Sequence, residues 1–459
     1  GKAPSSPYTT EEVISAVSDP DVHDTILFFP STKKGHGTGH LRRCLEAAKN
    51  SECFVYIPEN PEIKETENIV SEFIDSGLNP NQIIHTFPEQ NEFSLIVADL
   101  FKMDSETAQK LRDVANLVDI DDGGDFYFFS DYLLDIIPSF GILREPNLID
   151  EGFIVKPKAK KTCRPQKIES VLVSVGGEDP AALSLLAANY FSSAGKKVTV
   201  ISSQKENLPE IKNVSFLQPV SCLREKLCEF DLVATHYGLT AFEALAAGCA
   251  VVLLPTSKLH ENLSRKYGFA MLSADELKNG PSLRFFDDIE KFFPQKITEK
   301  ICRKQESLSD FVKKLSHGKR YFCPVCGKKQ NVDEVVARTP ERTFRRCAGC
   351  GIIYISWNSS LPMKYEKEYF AEQYKRQYGK TYLEDFDFIK KNCIKRIQEI
   401  NGMLKLNRNS SPRILDIGCA YGPFLSAAQE NGWQAYGTDV AKDAVEYVRK
   451  NLLLPAVVS

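Results

Sequence analysis

No apolar run in this chain approaches the ~18 residues that a membrane-spanning helix needs, so no membrane span is expected. A dominant sign of charge is missing too. Lys and Arg number 58 against 61 Asp and Glu, and the net charge of −3 sets up no global field for nucleic acid or a membrane surface. No repeat and no low-complexity tract is present. There is no signal-peptide pattern, and with Gly1 rather than Met at the start the natural beginning of the protein is expected upstream. The thirteen cysteines lack the even spread of a disulfide framework, and 459 residues are too many for a stapled miniprotein. Cys44, Cys222, Cys228 and Cys249 fall at helix or buried positions, so a reducing, cytoplasmic compartment is expected.

What is present is enough apolar residue, 42%, to build real cores, and length for about three domains at roughly 150 residues each. Strand and helix patterns alternate from Thr25 onward. Strands are expected at Thr25–Pro30, Phe54–Ile57, Ile83–Thr86, Leu95–Asp99 and Leu117–Ile120, with helices at His40–Asn50, Glu65–Ser76 and Ser105–Asn116 between them. That alternation predicts a parallel sheet covered by helices. The basic, Pro-containing stretch Lys156–Lys167 reads as a linker. A second α/β run follows, with strands at Ser170–Val175 and Val198–Ile201 and a helix at Pro180–Ser193. Two such halves imply a cleft, with ligand at the carboxyl ends of the strands.

The second half turns on Asp231–Gly248, DLVATHYGLTAFEALAAG, which reads as strand, tight turn and helix before a further strand at Ala250–Leu254. Gly238 places backbone N–H groups at a helix N-terminus, suited to an anion, and Glu243 one turn later can reach a sugar hydroxyl beside it. The bland alternative is plain α/β architecture. The first half carries a glycine loop, Gly35-His36-Gly37-Thr38-Gly39-His40-Leu41-Arg42-Arg43-Cys44, between a strand and a helix. His40, immediately after Gly39, sits where a cleft ligand would meet it; otherwise it is a helix-capping histidine. His36, His40, His236 and His260 account for four of the seven histidines, and no metal is expected in this half.

These stretches resemble GT-B glycosyltransferases and their relatives. Asp231–Gly248 resembles their donor motif, which implies that Gly238 faces the diphosphate of a nucleotide sugar and Glu243 holds the ribose. Gly37-x-Gly39-His40-x-x-Arg43-Cys44 resembles the loop of the UDP-sugar hydrolase of pseudaminic acid biosynthesis. Ile96–Leu100 with Ile120-Asp121-Asp122 is similar to that family's paired aspartate strands, and Val173–Pro180, VSVGGEDP, to its second-domain glycine turn. The likeness runs from Thr25 to Gly268. It implies that His40 is the general base, that Gly37, Gly39, Arg43 and Asp121 line the substrate, and that Gly176 and Gly177 line the phosphate side. His236, His260 and Glu261 are expected to face the donor. One departure stands out: the Asn-Gln pair of the hydrolase and several transferases is replaced by Leu259-His260-Glu261-Asn262, and the turn reads Tyr237-Gly238-Leu239-Thr240. The nucleophile is therefore water or an acceptor hydroxyl.

Cys323-Pro-Val-Cys326-Gly and Cys347-Ala-Gly-Cys350-Gly pair two CxxC knuckles, which predicts a closed, structural zinc site. Arg413-Ile-Leu-Asp416-Ile-Gly418-Cys419-Ala420-Tyr421-Gly422 then reads as strand and glycine turn, and Tyr436-Gly437-Thr438-Asp439 ends a second strand in an acid. This pattern resembles motif I of class I S-adenosylmethionine methyltransferases. The resemblance implies cofactor binding by Asp416, Gly418, Gly422 and Asp439, and places the zinc ribbon and the tyrosine-rich bridge Tyr365–Tyr382 with that half. The chain ends where a third strand should begin, so only the start of such a domain is expected.

The expected fold is thus α/β, with two Rossmann-like domains of the GT-B type (1–155, acceptor side, and 168–316, nucleotide-sugar side), a zinc ribbon (317–362), and linker helices with a truncated Rossmann-like methyltransferase domain (363–459). The expected activity is cleavage of the anomeric C–O bond of a UDP sugar, by transfer to an unidentified glycan or sugar acceptor or by hydrolysis, next to an S-adenosylmethionine-dependent module. The alternative is a nucleotide-sugar-binding scaffold that positions a sugar methyltransferase.

Overall fold

The computed structural model describes residues 25–49, 51–90, 92–138, 145–175, 183–202, 209–218, 223–282, 284–303, 306–327, 333–359, 374–404 and 411–458. The chain forms two compact units, Gly1–Leu361 and Pro362–Ser459. Residues 1–24 and half of the tyrosine-rich bridge, 365–373, lie outside the described residues. Among the described residues no helix is long and apolar enough to cross a membrane.

The first unit opens with β1 (Ile26–Pro30), β2 (Phe54–Tyr56), β3 (Ile83–Ile84), β4 (Leu95–Asp99), β5 (Asn116–Ile120), β6 (Tyr132–Asp135) and β7 (Leu148–Ile149). They build one parallel sheet in the order β3-β2-β1-β4-β5-β6-β7. Its central strands are apolar almost throughout because both faces are covered. Ile26 and Phe28 pack on one face with Leu41 and Leu45 of α1 (Gly39–Lys49). Leu27 and Phe29 pack on the other with Met103 and Leu111, the latter on α2 (Ser105–Val114). Strands β6 and β7 were not legible, being only four and two residues long.

A second parallel sheet holds β8 (Ser170–Ser174), β9 (Lys197–Ile201), β10 (Val214–Leu217), β11 (Leu232–Thr235), β12 (Ala250–Leu253) and β13 (Ala270–Met271), in the order β10-β9-β8-β11-β12-β13. The expected turn of α3 (Leu239–Ala246) follows β11, and α4 (Lys258–Lys266) follows β12. The helix Leu308–Ser316 returns to the first sheet, where Phe311 lies 4.9 Å from Phe153 and 6.2 Å from Tyr132 by ring centroid. The expected second domain therefore shares its last helix with the first.

The cysteine-bearing insert is an antiparallel sheet of β14 (Lys319–Arg320), β15 (Glu334–Arg338), β16 (Arg342–Arg346) and β17 (Ile353–Asn358), ordered β14-β17-β16-β15. Its assignment to the C-terminal half is corrected here: it belongs to the first unit. The physical reason is a set of buried arginines that satisfy the carbonyls between β5 and β6. Arg345 donates to Asp333 O at 2.9 Å and Ser130 O at 3.0 Å, and also to Phe128 O. Arg338 donates to Tyr127 O at 3.1 Å and Ser130 O at 3.0 Å, while Arg320 pairs with buried Asp131. Trp357 stands in the main core, 5.2 Å from Tyr132. Only a glycine fits at 318, since a Cβ there would come within 2.4 Å of the Trp357 ring.

The second unit contains the helix Phe386–Leu404 and a parallel sheet of β18 (Arg413–Ile417), β19 (Gln434–Asp439) and β20 (Ala456–Val458). The third strand is already begun, with Ala456 opposite Gly437.

Arg345→Ala should destabilise the first unit by about 1–3 kcal/mol, because buried carbonyls lose their donor. Urea denaturation measures it. An unchanged midpoint would show that the ribbon sheet is merely appended.

Candidate active site

Three strand ends of the first sheet meet the glycine loop. Asp99 closes β4 and is fully buried. His40 Nδ1 lies 2.5 Å from Asp99 Oδ1. Arg43, one turn along α1, grips both oxygens of the same carboxylate, Nε to Oδ2 and Nη2 to Oδ1, each at 2.7 Å. Its Nη1 reaches Asp121 Oδ2 at 2.5 Å. Asp121 adopts a left-handed backbone with φ +50°, and its Oδ1 accepts from Ile136 N at 2.7 Å and Ile137 N at 3.0 Å. Each acid is thus held in place by fixed donors.

The electrostatics settle the proton. Burial alone would raise the Asp99 carboxyl, but Arg43 and His40 hold it well below the usual carboxylate range. An ionised carboxylate only accepts. The proton of this hydrogen bond therefore belongs to His40 Nδ1, and in the neutral imidazole Nε2 is the unprotonated nitrogen. His36 stands beside it, its Nδ1 2.7 Å from Ser31 Oγ, and burial, His40 and Lys33 lower its pKa.

The second half supplies the facing wall. A Cβ on Gly39 would come within 3.2 Å of Leu239 Cδ1 at the start of α3. The Tyr237 hydroxyl donates to Pro138 O across the halves. His236 and His260 stack at 6.0 Å between centroids, and His260 Nδ1 lies 2.8 Å from Thr256 Oγ1. Burial, and then His260, push the His236 imidazole down to about 4; burial lowers His260 as well. A Cβ on Gly238 would sit 3.0 Å from His236 Nε2, so any larger residue there would push the His236 ring. Glu243 lies 3.7 Å from Arg224 Nη1, and Arg224 Nη2 also pairs with Glu46 of the first half at 3.2 Å.

The structure therefore brings His40, Arg43 and Asp121 into one cluster, with Gly37 at φ +72° and Gly39 on its rim. His236, Gly238 and His260 form a second. Glu261 is engaged elsewhere, in surface pairs with Lys258 and Arg265 on its own helix. Gly176 and Gly177 lie outside the described residues. Phe101 and Arg224 went unmarked by sequence reasoning, and Asp99, though inside the quoted strand Ile96–Leu100, was given no role of its own. An acid ending a buried strand, LIVAD, beside a glycine loop was the signal for Asp99. A surface hollow of about 570 Å³ bounded by Lys167, Glu169, Lys196 and Asn213 lies at the amino ends of the second sheet, the wrong end for a doubly wound site.

Cys323, Cys326, Cys347 and Cys350 gather their sulfurs within 4.8 Å of one another, with Cys323–Cys350 and Cys326–Cys347 at 3.5 Å. Tetrahedral thiolates on a metal at roughly 2.3 Å would sit roughly 3.8 Å apart, so the four residues fit such an ion. In the second unit, Gly418 and Gly422 take φ +82° and +80°. Asp439 Oδ2 accepts from Ala420 N at 2.8 Å and Oδ1 from Ala441 N at 2.9 Å. Burial and Asp439 raise the Asp416 carboxyl.

No model of a known protein family matches the chain. No curated protein matches it. Among solved structures that resemble it, the spinosyn forosaminyltransferase SpnP aligns over 63% of this chain and 97% of its own, at 15% identity and a TM-score of 0.44. LpCGTa, solved in complex with UDP, covers the same shares, 63% and 97%, at 12% identity and 0.42. MurG of Acinetobacter baumannii does so at 9% identity and 0.40, again over 63% and 97%. With these scores below 0.5, the likeness carries no argument about chemistry, which rests on the residues themselves.

Burial lifts the Glu243 carboxyl to about 7, against the pull of Arg224. The folded protein thus holds this proton more tightly than the unfolded chain. Stability at this site should fall as pH rises from the ordinary Glu value, ~4.3, towards neutrality, and Glu243→Gln should abolish the loss. Urea denaturation at about pH 5 and about pH 8 checks the sign. The variant should gain on the wild type at the higher pH; a difference independent of pH would contradict it.

Proposed function

We propose that the first unit is a nucleotide-sugar-dependent glycosyltransferase of the GT-B type, with His40 as general base. The observation that carries this is the His40–Asp99–Arg43 arrangement at the carboxyl end of β4, opposite the start of α3. In this proposal residues 1–155 bind the acceptor and 168–316 bind the donor, a UDP sugar. His236, Gly238 and His260 face its diphosphate, with Gly176 and Gly177 on the phosphate side, and Glu243 takes the ribose. An acceptor hydroxyl gives its proton to His40 Nε2 as its oxygen bonds the anomeric carbon. The bond from that carbon to the diphosphate oxygen breaks, and the electron pair leaves with the nucleotide diphosphate.

The cysteine quartet is assigned to structural zinc, which would hold the ribbon and leave no open position for chemistry. The second unit, in the same proposal, is the start of an S-adenosylmethionine-binding domain. There Gly418 and Gly422 take left-handed backbone, Gly418 beside open space and Gly422 packed against Leu452 and Val448; Asp439 takes the ribose with Asp416 on the cofactor side, and the cofactor, when bound, supplies a methyl group.

The test is a panel of nucleotide sugars, with diphosphate release read with and without acceptors. His40→Ala should lower turnover about 10²–10⁴-fold with nucleotide affinity unchanged. Release without any acceptor would make the protein a hydrolase. Tight binding with no turnover, and no effect of His40→Ala, would make it a scaffold.

Metal analysis should find one zinc per chain, as the four-thiolate site requires. Cys323→Ser should remove the zinc and lower the melting temperature of the whole first unit, because the ribbon sheet is built into it. Zinc-free protein with an unchanged melting temperature would refute the assignment.

A further inference from the structure

We propose that Phe101 is the platform on which the acceptor lies, and that the acceptor is a pyranose presenting its C–H face; this rests on His40 being the base. Phe101 follows the Asp99 strand end by two residues. Its backbone is left-handed, with φ +63°. A bulky side chain rarely adopts that conformation, and such strain gathers at functional sites. The turn is fixed from both sides: Gly123 N donates to Phe101 O at 2.8 Å, and Lys102 N to Leu100 O at 2.7 Å. Phe101 as a whole remains 37% exposed. Its centroid lies 5.4 Å from that of His36 and 5.9 Å from that of His40. The ring is therefore presented beside the imidazole that takes the acceptor proton.

The surroundings select the ligand class. Polar groups surround this one ring: the His36 and His40 imidazoles, and Lys102 Nζ over the ring at 5.8 Å from its centroid, leaving the other face for a ligand. A flat apolar acceptor would need apolar walls on several sides. A pyranose has one apolar C–H face and a rim of hydroxyls, which matches one ring ringed by donors and acceptors. A hydroxyl at the edge of the stacked sugar then meets His40 Nε2.

Saturation-transfer NMR on the full chain with UDP and a set of methyl pyranosides tests this. The wild type should saturate protons on one face of the sugar. Phe101→Asn, whose side chain tolerates the left-handed backbone, should weaken pyranoside binding roughly three- to tenfold. Phe101→Tyr should restore it, and UDP affinity should be equal in all three proteins. Pyranoside binding by Phe101→Asn as tight as by the wild type would overturn the platform. So would a wild type that binds none of the pyranosides, or a preference for p-nitrophenol over them. Pyranoside binding lost in Phe101→Asn, from a wild type that ignores every nucleotide sugar, would support the platform and sink the transferase reading alone.

Discussion

Arg43 is the residue on which the candidate site depends. A fully buried carboxylate is costly unless donors surround it. Arg43 supplies two donors to Asp99 and a third to Asp121, drawing the ends of β4 and β5 onto the first turns of α1. Asp99 is thereby kept ionised, and an ionised Asp99 can face His40 only as an acceptor. One guanidinium thus sets the orientation of the imidazole without touching it. Breaking such a pair from one side leaves a buried charge uncompensated, so the cluster is also a structural commitment.

The same economy of buried charge explains the ribbon. The segment from Phe126 to Asp131 joins β5 to β6 and has carbonyls that no strand satisfies. Arg338 and Arg345 of the antiparallel sheet satisfy them, and Arg320 neutralises Asp131. Upstream of that segment, Gly123 holds the Phe101 turn and Asp121 holds Arg43. The cysteine-bearing sheet is therefore coupled through backbone and arginine contacts to the loop that shapes the site.

Much of the α/β layout was legible because buried parallel strands read as unbroken apolar runs. ILFFP, LIVAD and LVAT are such runs, each with a glycine turn or polar stop after it. Strands β6, β7 and β10 were not, since short or half-exposed strands carry too few apolar residues to stand out. His40, Gly238 and the CxxC pairs were visible as motifs. Asp99 lay inside the quoted strand Ile96–Leu100, but its pairing with Arg43, 56 positions away, left no local trace, and neither did that of Arg224 with Glu46, 178 positions away. The ribbon was assigned to the wrong half for the same reason: the arginines that anchor it read as ordinary charges of a surface strand.

The claim that Asp99 orients His40 as a base makes a direct spectroscopic statement. In protein labelled with ¹⁵N at histidine, the His40 ring at mildly alkaline pH should be the Nδ1–H tautomer, with Nε2 as the unprotonated nitrogen and a downfield proton shared with Asp99. Asp99→Asn should abolish that downfield signal and redistribute the tautomers. A wild-type His40 carrying its proton on Nε2 would contradict the account, because no basic nitrogen would then face the cleft.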